Sequence, residues 1–340
     1  MKKGLLVYET NHSINIFNIG DYIQSIASAQ FFDDKIDCFV NREKLNSYKG
    51  DKVRLFMNGW FMHQPQNWPP SKDIIPCFVA FHINKLAEKE LLSNESIEYY
   101  KKFEPIGCRD YDTVKKLKRK GVDAYFSGCM TLTLGEKYTS KQKDGSIYFT
   151  DVPQTIELTL SNLCRVVFCL IFHTCSIHKV YKRRYKDFNV TDYVRNLFFY
   201  AIYSRQFTSS VLEHAVYQKQ EIEDVFTSDE EKFKYADTLL RKYAQAAYVV
   251  TSRIHCALPC IAMGTPVLYI FNENQDEVST CRMGGLLDLF HLIRYNRGKM
   301  FTSLTKNKIG KDFSFVNKNS YKKIRTNLIK IASKFVEDTN

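Results

Sequence analysis

The residues with the clearest chemical potential lie where an apolar strand-like run passes into a helical pattern. Ser252, Arg253 and His255 follow the run 247–251 and precede a small-residue stretch that ends at Gly264. A helix N-terminus offers unpaired N–H groups and the positive end of its dipole, so a cation and an imidazole there predict a site for phosphate or carboxylate. The alternative is that Arg253 pairs with a neighbouring acid and that His255 is a hydrogen-bonded core residue.

The N-terminal half alternates short apolar runs with amphipathic helical patterns. The pattern over 111–120 is typical of a helix, with Asp110 as its N-cap and Gly121 as its stop. Strand–helix–strand repetition indicates a mostly parallel sheet with helices on both faces. Strands are predicted at 5–9, 36–40, 53–58, 77–82, 105–109 and 124–127, and helices at 21–32, 84–92 and 111–120.

The C-terminal half repeats this alternation after a polar, Lys-rich linker at 137–145. Strands are predicted at 146–151, 166–172, 224–227, 247–251 and 266–271, and helices at 229–246 and 254–263. The sequence therefore predicts an α/β fold of two doubly wound Rossmann-like domains that face a cleft, with ligands at the carboxyl ends of the strands. The expected units are an N-terminal domain at 1–140, a C-terminal domain at 146–315 and a basic helix at 316–340.

Composition excludes several classes of protein. Of the 340 residues, 44% are hydrophobic and 25% are charged, which is typical of a folded chain. The ten cysteines form no CxxC pair or zinc-finger spacing, so reduced thiols and a cytoplasmic location are expected. The longest apolar runs, 166–172 and 197–203, are too short to span a bilayer. No zinc, helix-turn-helix or RNA-reading pattern points to nucleic acid.

Several stretches together resemble the polysaccharide pyruvyl transferase family, because they occur in that family's order and spacing. The resemblance covers about 1–135 and 225–292 and fades elsewhere. It rests on Asn18-Ile19-Gly20-Asp21, on 105–110 followed by 123–129, on 228–231, and on Ser252-Arg253-Ile254-His255 with Gly264-Thr265-Pro266-Val267. The resemblance implies a fold similar to that of the two-domain GT-B glycosyltransferases.

The resemblance also implies the transfer of pyruvate from phosphoenolpyruvate to two sugar hydroxyls, with release of phosphate. Such a donor requires two cations and an acid, and Arg253 and Arg109 are expected to be the cations. Ser252, Gly264 and Thr265 are expected to bind the donor with Arg253. His255 is the candidate acid because imidazole titrates near neutral pH, and a role as phosphate ligand is equally open.

Each of these roles has a structural alternative. Arg109 could instead pair with Asp110 or cap a helix, and Thr265 could be a plain turn residue. The reaction requires no cofactor and no metal, and none is expected.

The acceptor is expected on the N-terminal domain, where Asn18, Asp21 and Trp60 follow predicted strands. Asp21 could accept a hydroxyl proton, or it could be an ordinary helix N-cap. Trp60 could stack on a sugar, or it could belong to the core or a lid. The family favours a galactose-type acceptor in surface polysaccharide biosynthesis. The alternatives are a nucleotide-sugar glycosyltransferase and a saccharide-binding protein without catalysis.

The net charge of +12 is concentrated outside these motifs. Residues 294–330 carry eleven Lys and Arg against one acid, and 179–195 carry six against two. Basic and aromatic residues over 164–205 suit an anionic membrane surface, as a polyprenyl-diphosphate-linked acceptor at the inner membrane face would require. The alternative is a solvated basic face beside two buried elements.

Overall fold

The computed structural model describes residues 1–9, 15–33, 35–154, 156–274 and 281–338, and the protein is a mixed α/β fold built on parallel sheets. The predicted α/β class is thereby confirmed. The strands of the N-terminal half are β1 (Lys2–Val7), β2 (Ile16–Asn18), β3 (Cys38–Asn41), β4 (Val53–Phe56), β5 (Gly59–Phe61), β6 (Ile74–Cys77), β7 (Phe81–Ile83), β8 (Ile106–Cys108) and β9 (Ala124–Phe126). Its helices are α1 (Ile19–Ala29), α2 (Glu88–Leu91), α3 (Asn94–Lys101), α4 (Tyr111–Arg119) and α5 (Gly135–Tyr138).

The N-terminal strands form two four-stranded parallel sheets, in the orders β3-β1-β4-β6 and β5-β7-β8-β9. The β4–β6 pairing extends past the end of β4, since the N–H of Met57 donates to the carbonyl of Cys77 at 2.8 Å. The β5–β7 pairing begins two residues later, where the N–H of Gly59 donates to the carbonyl of Ala80 at 3.1 Å. The strand predicted over 77–82 is therefore two strands. It is interrupted at Ala80, whose φ of 56° is incompatible with an extended chain.

The C-terminal half is built on one six-stranded sheet in the order β11-β10-β13-β14-β15-β16, in which only the β15–β16 pair is antiparallel. The strands of this half are β10 (Ile147–Thr150), β11 (Val216–Gln218), β12 (Glu221–Glu223), β13 (Tyr248–Thr251), β14 (Val267–Asn272), β15 (His291–Asn296) and β16 (Lys299–Phe301), of which β12 lies outside the six-stranded sheet. The helices are α6 (Leu160–Phe172), α7 (Thr174–Arg184), α8 (Val190–Tyr203), α9 (Ser209–His214), α10 (Asp229–Gln245), α11 (Ile254–Ala262) and α12 (Tyr321–Glu337).

Two strands predicted in this half are wrong. The run 166–172 lies in α6, because a short apolar run fits a helix as well as a strand and periodicity alone does not separate them. Residues 224–227 are irregular, and the nearby strand is β12, which ends at Glu223. The run 197–203 lies in α8, where the side chains from Phe199 to Tyr203 are fully buried.

The two halves are joined by a shared strand pair and a shared core. Strand β2 pairs antiparallel with β12, and α1 packs against α10, where the Tyr22 hydroxyl donates to Asp229 at 2.6 Å. Helix α12 returns to the N-terminal half, where Phe335 packs on Phe56 with ring centroids 5.1 Å apart. The larger apolar core contains side chains from both halves.

Candidate active site

Seven of the predicted site residues meet in one cavity of about 240 Å³. The cavity lies where β2 passes into α1, where β8 ends and where β13 passes into α11, which is the position that parallel sheets favour for ligands. Its lining consists of Asn18, Asp21, Trp60, His63, Arg109, Gln220, Glu221, Ser252, Arg253, Ile254, His255, Tyr269 and Arg282.

Arg109 is a buried cation without a counter-charge in contact with it. It follows β8 directly and is 1% exposed, and its side chain has no hydrogen bond or ion pair within the described residues. The alternative pair with Asp110 does not form, because that carboxylate caps α4 and bonds to His82 Nδ1 at 2.6 Å. Burial lowers the pKa of Arg109, so its charge is held at a cost that an anionic ligand would offset.

Arg282 is a cavity residue that the sequence does not single out. It lies ten residues beyond the end of β14, outside the motifs named in the sequence analysis. Its Nε is buried and lacks a hydrogen-bond partner in the described chain. Arg282 is close enough to Arg109 to lower the pKa of that guanidinium. The pair therefore forms a cationic end to the cavity.

Arg253 has the ion pairs that the alternative interpretation anticipated. Its Nε lies 3.1 Å from Asp151 and its Nη1 lies 2.8 Å from Glu221. Burial lowers its pKa, but the hydrogen bonds and charges of these two acids outweigh burial, and the net pKa is raised. Arg253 lines the cavity while it ties β10 and β12 to the start of α11.

His255 occupies the first turn of α11 with an unpartnered nitrogen. Its Nε2 is buried and has no hydrogen-bond partner among the described residues. Burial, followed by the charges of Arg109, Arg282 and Arg253, lowers its pKa well below the ordinary value. The free protein therefore holds a neutral imidazole, whereas the sequence predicts a group that titrates near neutral pH.

The N-termini of α1 and α11 approach each other beside His255. A side-chain carbon added to Gly20 would lie 3.1 Å from His255 Cβ and Nδ1, so glycine permits this contact. Helix α11 has no side-chain cap, and the N–H groups of Ile254 and His255 have no acceptor within the described residues. Two such N–H groups at a helix N-terminus can bind one anion.

Ser252, by contrast, makes hydrogen bonds within the protein through both its hydroxyl and its carbonyl. Its hydroxyl donates to the carbonyl of Asp151, and its own carbonyl accepts from the Tyr269 hydroxyl at 2.8 Å. These bonds fix the turn between β13 and α11, which aims the residues that follow it.

Asp21 and Trp60 form the opposite wall with an arginine behind them. The N-cap of α1 is Asn18, whose Oδ1 accepts from Gly20, so Asp21 is not the cap. Burial raises the pKa of Asp21, although Arg42 at 3.6 Å and Arg109 act to lower it. The Arg42 guanidinium also lies 5.2 Å from the centre of the Trp60 ring.

Gly264 and Thr265, which were expected to bind the donor, do not line this cavity. They follow the last turn of α11, and a nine-residue helix separates them from Arg253 by about 14 Å. Gly264 has a φ of 75° and ends the helix. Thr265 is fully buried and its hydroxyl donates to the Tyr243 carbonyl at 3.0 Å. Its hydroxyl therefore holds the turn after α11 against the end of α10.

The described part of the chain contains no group of three or more His, Cys, Asp or Glu side chains arranged to hold a metal ion. Independence from metals and cofactors stays a prediction. All ten cysteines are free thiols. The chemistry available is anion binding by Arg109, Arg282 and the α11 N-terminus, next to Asp21 and His255, which can transfer protons.

Comparison with known proteins identifies one family. A family model described as polysaccharide pyruvyl transferase matches residues 18–274, which is most of the chain. The match begins at Asn18 on one wall of the cavity and includes Arg109, Arg253 and His255. No curated protein and no solved structure matches the chain.

Proposed function

The chain belongs to the polysaccharide pyruvyl transferase family, and we propose on this basis that it moves pyruvate from phosphoenolpyruvate onto two hydroxyls of a sugar. The product is a cyclic ketal, and phosphate is released. A two-domain arrangement of the GT-B type, with the donor on the C-terminal side of the cleft, fits the position of the cavity.

One observation carries the proposal: Arg109 is buried with no ion-pair partner among the described residues, and Arg282 lies near it. Phosphoenolpyruvate carries a carboxylate and a phosphate, and two guanidinium groups match its charge and its planar oxygen pairs. The free N–H groups of Ile254 and His255 suit the phosphate. Arg253 acts as a positioning residue, since Asp151 and Glu221 already occupy its guanidinium.

The acceptor lies on the Trp60 side of the cavity. An aromatic ring packs well on the apolar face of a sugar, and Trp60 lines the cavity and is half-buried, with Arg42 and His63 against its ring. Asp21 is placed to hydrogen-bond a hydroxyl of the same sugar. A galactose-type sugar, carried on a lipid diphosphate during assembly of a surface polysaccharide, is the acceptor we propose.

The reaction balances without an external acid. The first hydroxyl oxygen bonds to C2 of the donor, C3 gains a proton and becomes a methyl group, and the C2–O bond to phosphate breaks. The second hydroxyl oxygen then bonds to C2 and closes the ring. Of the two hydroxyl protons, one ends in the methyl group and the other on the phosphate.

Asp21 and His255 divide the proton transfers. The raised pKa of Asp21 suits a carboxyl group that delivers a proton to C3. The neutral imidazole of His255 accepts the hydroxyl proton, and the negative charge of the bound donor stabilises the resulting imidazolium against Arg109 and Arg282. We therefore propose His255 as the base and not as the acid, since its lowered pKa favours the neutral imidazole in the free protein.

The test is a comparison of donors. The purified protein is incubated with a galactoside acceptor and either phosphoenolpyruvate or a set of nucleotide sugars. We expect phosphate release only with phosphoenolpyruvate, and a product whose mass corresponds to one pyruvate ketal. Consumption of a nucleotide sugar alone would favour a glycosyltransferase, and acceptor binding without turnover of either donor would favour a saccharide-binding protein.

A matched pair of arginine variants connects the activity to the cavity. Arg109→Ala should lower phosphate release at limiting phosphoenolpyruvate by at least about tenfold, the loss of one charged hydrogen bond, whereas Arg241→Ala should retain it, because Arg241 is exposed on α10 and pairs with Asp237 there. Equal activity in the two variants would overturn the site assignment even if the donor were correct.

A further inference from the structure

Helix α6 presents apolar side chains to solvent along most of its length. Only Asn162, Val166 and Cys169 face the core of the C-terminal half. The outward residues include Leu160 at 79% exposure and Phe172 at 66%. We call this surface the α6 face, and its apolar members are Leu160, Leu163, Val167, Phe168, Leu170, Ile171 and Phe172. Soluble proteins rarely expose so continuous an apolar stretch without a partner for it.

The length of α6 determines how it could meet a bilayer. A helix needs about 20 apolar residues to span the hydrocarbon core, and α6 has 13. In the described part of the chain, no single helix is long and apolar enough to cross a membrane. The pair α6–α7 reaches that length and composition only when the two helices are taken together, and it is bent by 96° at the break between them. Helix α6 therefore suits a position in the plane of an interface.

The charge around the α6 face distinguishes between occupants. Residues 158–195 contain seven Lys and Arg against two Asp. Lys182 and Arg183 near the end of α7, and Lys186 after it, are exposed and have no ion-pair partner among the described residues. A second copy of this chain would bring like charges together, whereas an anionic lipid surface complements them.

We propose that the α6 face, with the basic end of α7, is a membrane-docking surface that inserts its apolar side chains between anionic lipid headgroups. Eight residues link α6 to Asp151, which pairs with Arg253 at the cavity. At about 3.5 Å per residue this segment spans at most about 30 Å, so docking holds the Arg253 side of the cavity within about that distance of the bilayer surface, where a lipid-linked saccharide would present its sugar. The docking itself does not depend on the reaction, so either proposal can fail without the other.

Vesicle flotation with the full-length protein tests this surface. We expect the protein to float with vesicles of phosphatidylcholine and phosphatidylglycerol, to bind far less to phosphatidylcholine alone, and to be released by salt. Changing Ile171 and Phe172 together to Glu should lower the partition coefficient by about tenfold or more, because it removes inserted apolar area and adds repulsive charge. Changing Lys182 and Arg183 together to Ala should lower it by about 30-fold, from the loss of two cations near the surface.

A matched substitution controls for the effect of surface charge. Leu86→Glu replaces an exposed leucine of the N-terminal half, at 84% exposure, and should leave flotation unchanged. Thermal unfolding of each variant checks that the fold is retained.

Two results would overturn the proposal. One is flotation that the Ile171 and Phe172 change does not reduce, which would place the contact elsewhere. The other is a wild-type protein that does not bind vesicles but self-associates in sedimentation, while the variant with Ile171 and Phe172 changed to Glu is monomeric. That result would make the α6 face a dimer interface.

Discussion

At the scale of single residues, the cavity is defined by charges that the protein itself does not neutralise. Arg109 is held inside without an ion pair within the described residues, so it lowers the stability of the free protein and gains most from an anion. We predict that Arg109→Met raises the KM for phosphoenolpyruvate by between about tenfold and about 100-fold, the range for a lost charged hydrogen bond. Steady-state kinetics measure this effect.

The same variant should be at least as stable as the wild type without ligand. Removing a desolvated charge and keeping the side-chain volume relieves a cost, so the melting temperature of Arg109→Met should equal or exceed that of the wild type. Phosphoenolpyruvate should then raise the melting temperature of the wild type only. A variant that melts well below the wild type would mean that Arg109 has a structural partner, contrary to the site described above.

His255 predicts a dependence of stability on pH. Its pKa in the folded protein lies well below 6.5, the ordinary value that the unfolded chain recovers. Below pH 6.5, His255 therefore binds a proton in the unfolded state but not in the folded state, and the free energy of unfolding falls as the pH falls. For this one group the slope approaches about 1.4 kcal/mol per pH unit until the folded pKa is reached.

His255→Gln removes this slope and isolates it from other groups. Urea unfolding of both proteins, from mildly acidic to neutral pH, should show a stability difference that shifts toward the variant as the pH falls. His82, whose pKa is also lowered, is present in both proteins and cancels in the difference. A difference that stays constant with pH would contradict a buried neutral imidazole.

At the scale of elements, the reaction depends on how closely α1 and α11 approach each other. A Cβ on Gly20 would lie 3.1 Å from His255 and 3.0 Å from the cap oxygen of Asn18, so one of these groups must shift by a few tenths of an ångström. We predict that Gly20→Ala lowers kcat by about tenfold while the protein stays folded, because small displacements of reacting groups are costly. Gly310→Ala is the matched control, since a Cβ there meets nothing within 4 Å. An equal loss of kcat in Gly20→Ala and Gly310→Ala would mean that the close approach of α1 and α11 does not matter for catalysis.

The elements also separate what the sequence could reveal from what it could not. Helix α11 was predictable because an apolar strand, a turn and a Gly stop follow one another within 25 residues. Helix α6 was not, because seven apolar residues fit a buried strand and an exposed helix equally well. Arg282 lies in a turn outside the motifs that the sequence offers, so only the fold brings it near Arg109. An ion pair of Arg253 was one of the two predicted alternatives, but its partners could not be predicted, since Asp151 and Glu221 are distant from it in sequence.

At the scale of the whole molecule, the cavity needs both halves to be in place. Asn18, Trp60 and Arg109 come from the N-terminal half, and the α11 residues come from the other half. The pairing of β2 with β12 and the return of α12 hold the two together, and the larger core includes side chains from each. The second core, beneath α8, belongs to the C-terminal half alone. The halves should therefore unfold together, although each has its own sheets.

This coupling predicts that a destabilising substitution in one half lowers the unfolding transition of the other half as well. Both tryptophans, Trp60 and Trp68, lie in the N-terminal half, so their fluorescence reports on that half. Ile293→Ala opens a cavity in the second core of the C-terminal half, where the side chain is fully buried, and should cost about 2–5 kcal/mol. If the halves unfold as one unit, the tryptophan transition in urea moves down together with the far-UV circular dichroism transition. Val316→Ala, at 80% exposure, should move neither. A dichroism transition that shifts while the tryptophan transition stays in place would mean that the halves unfold separately, with the N-terminal sheets intact after the C-terminal sheet is lost.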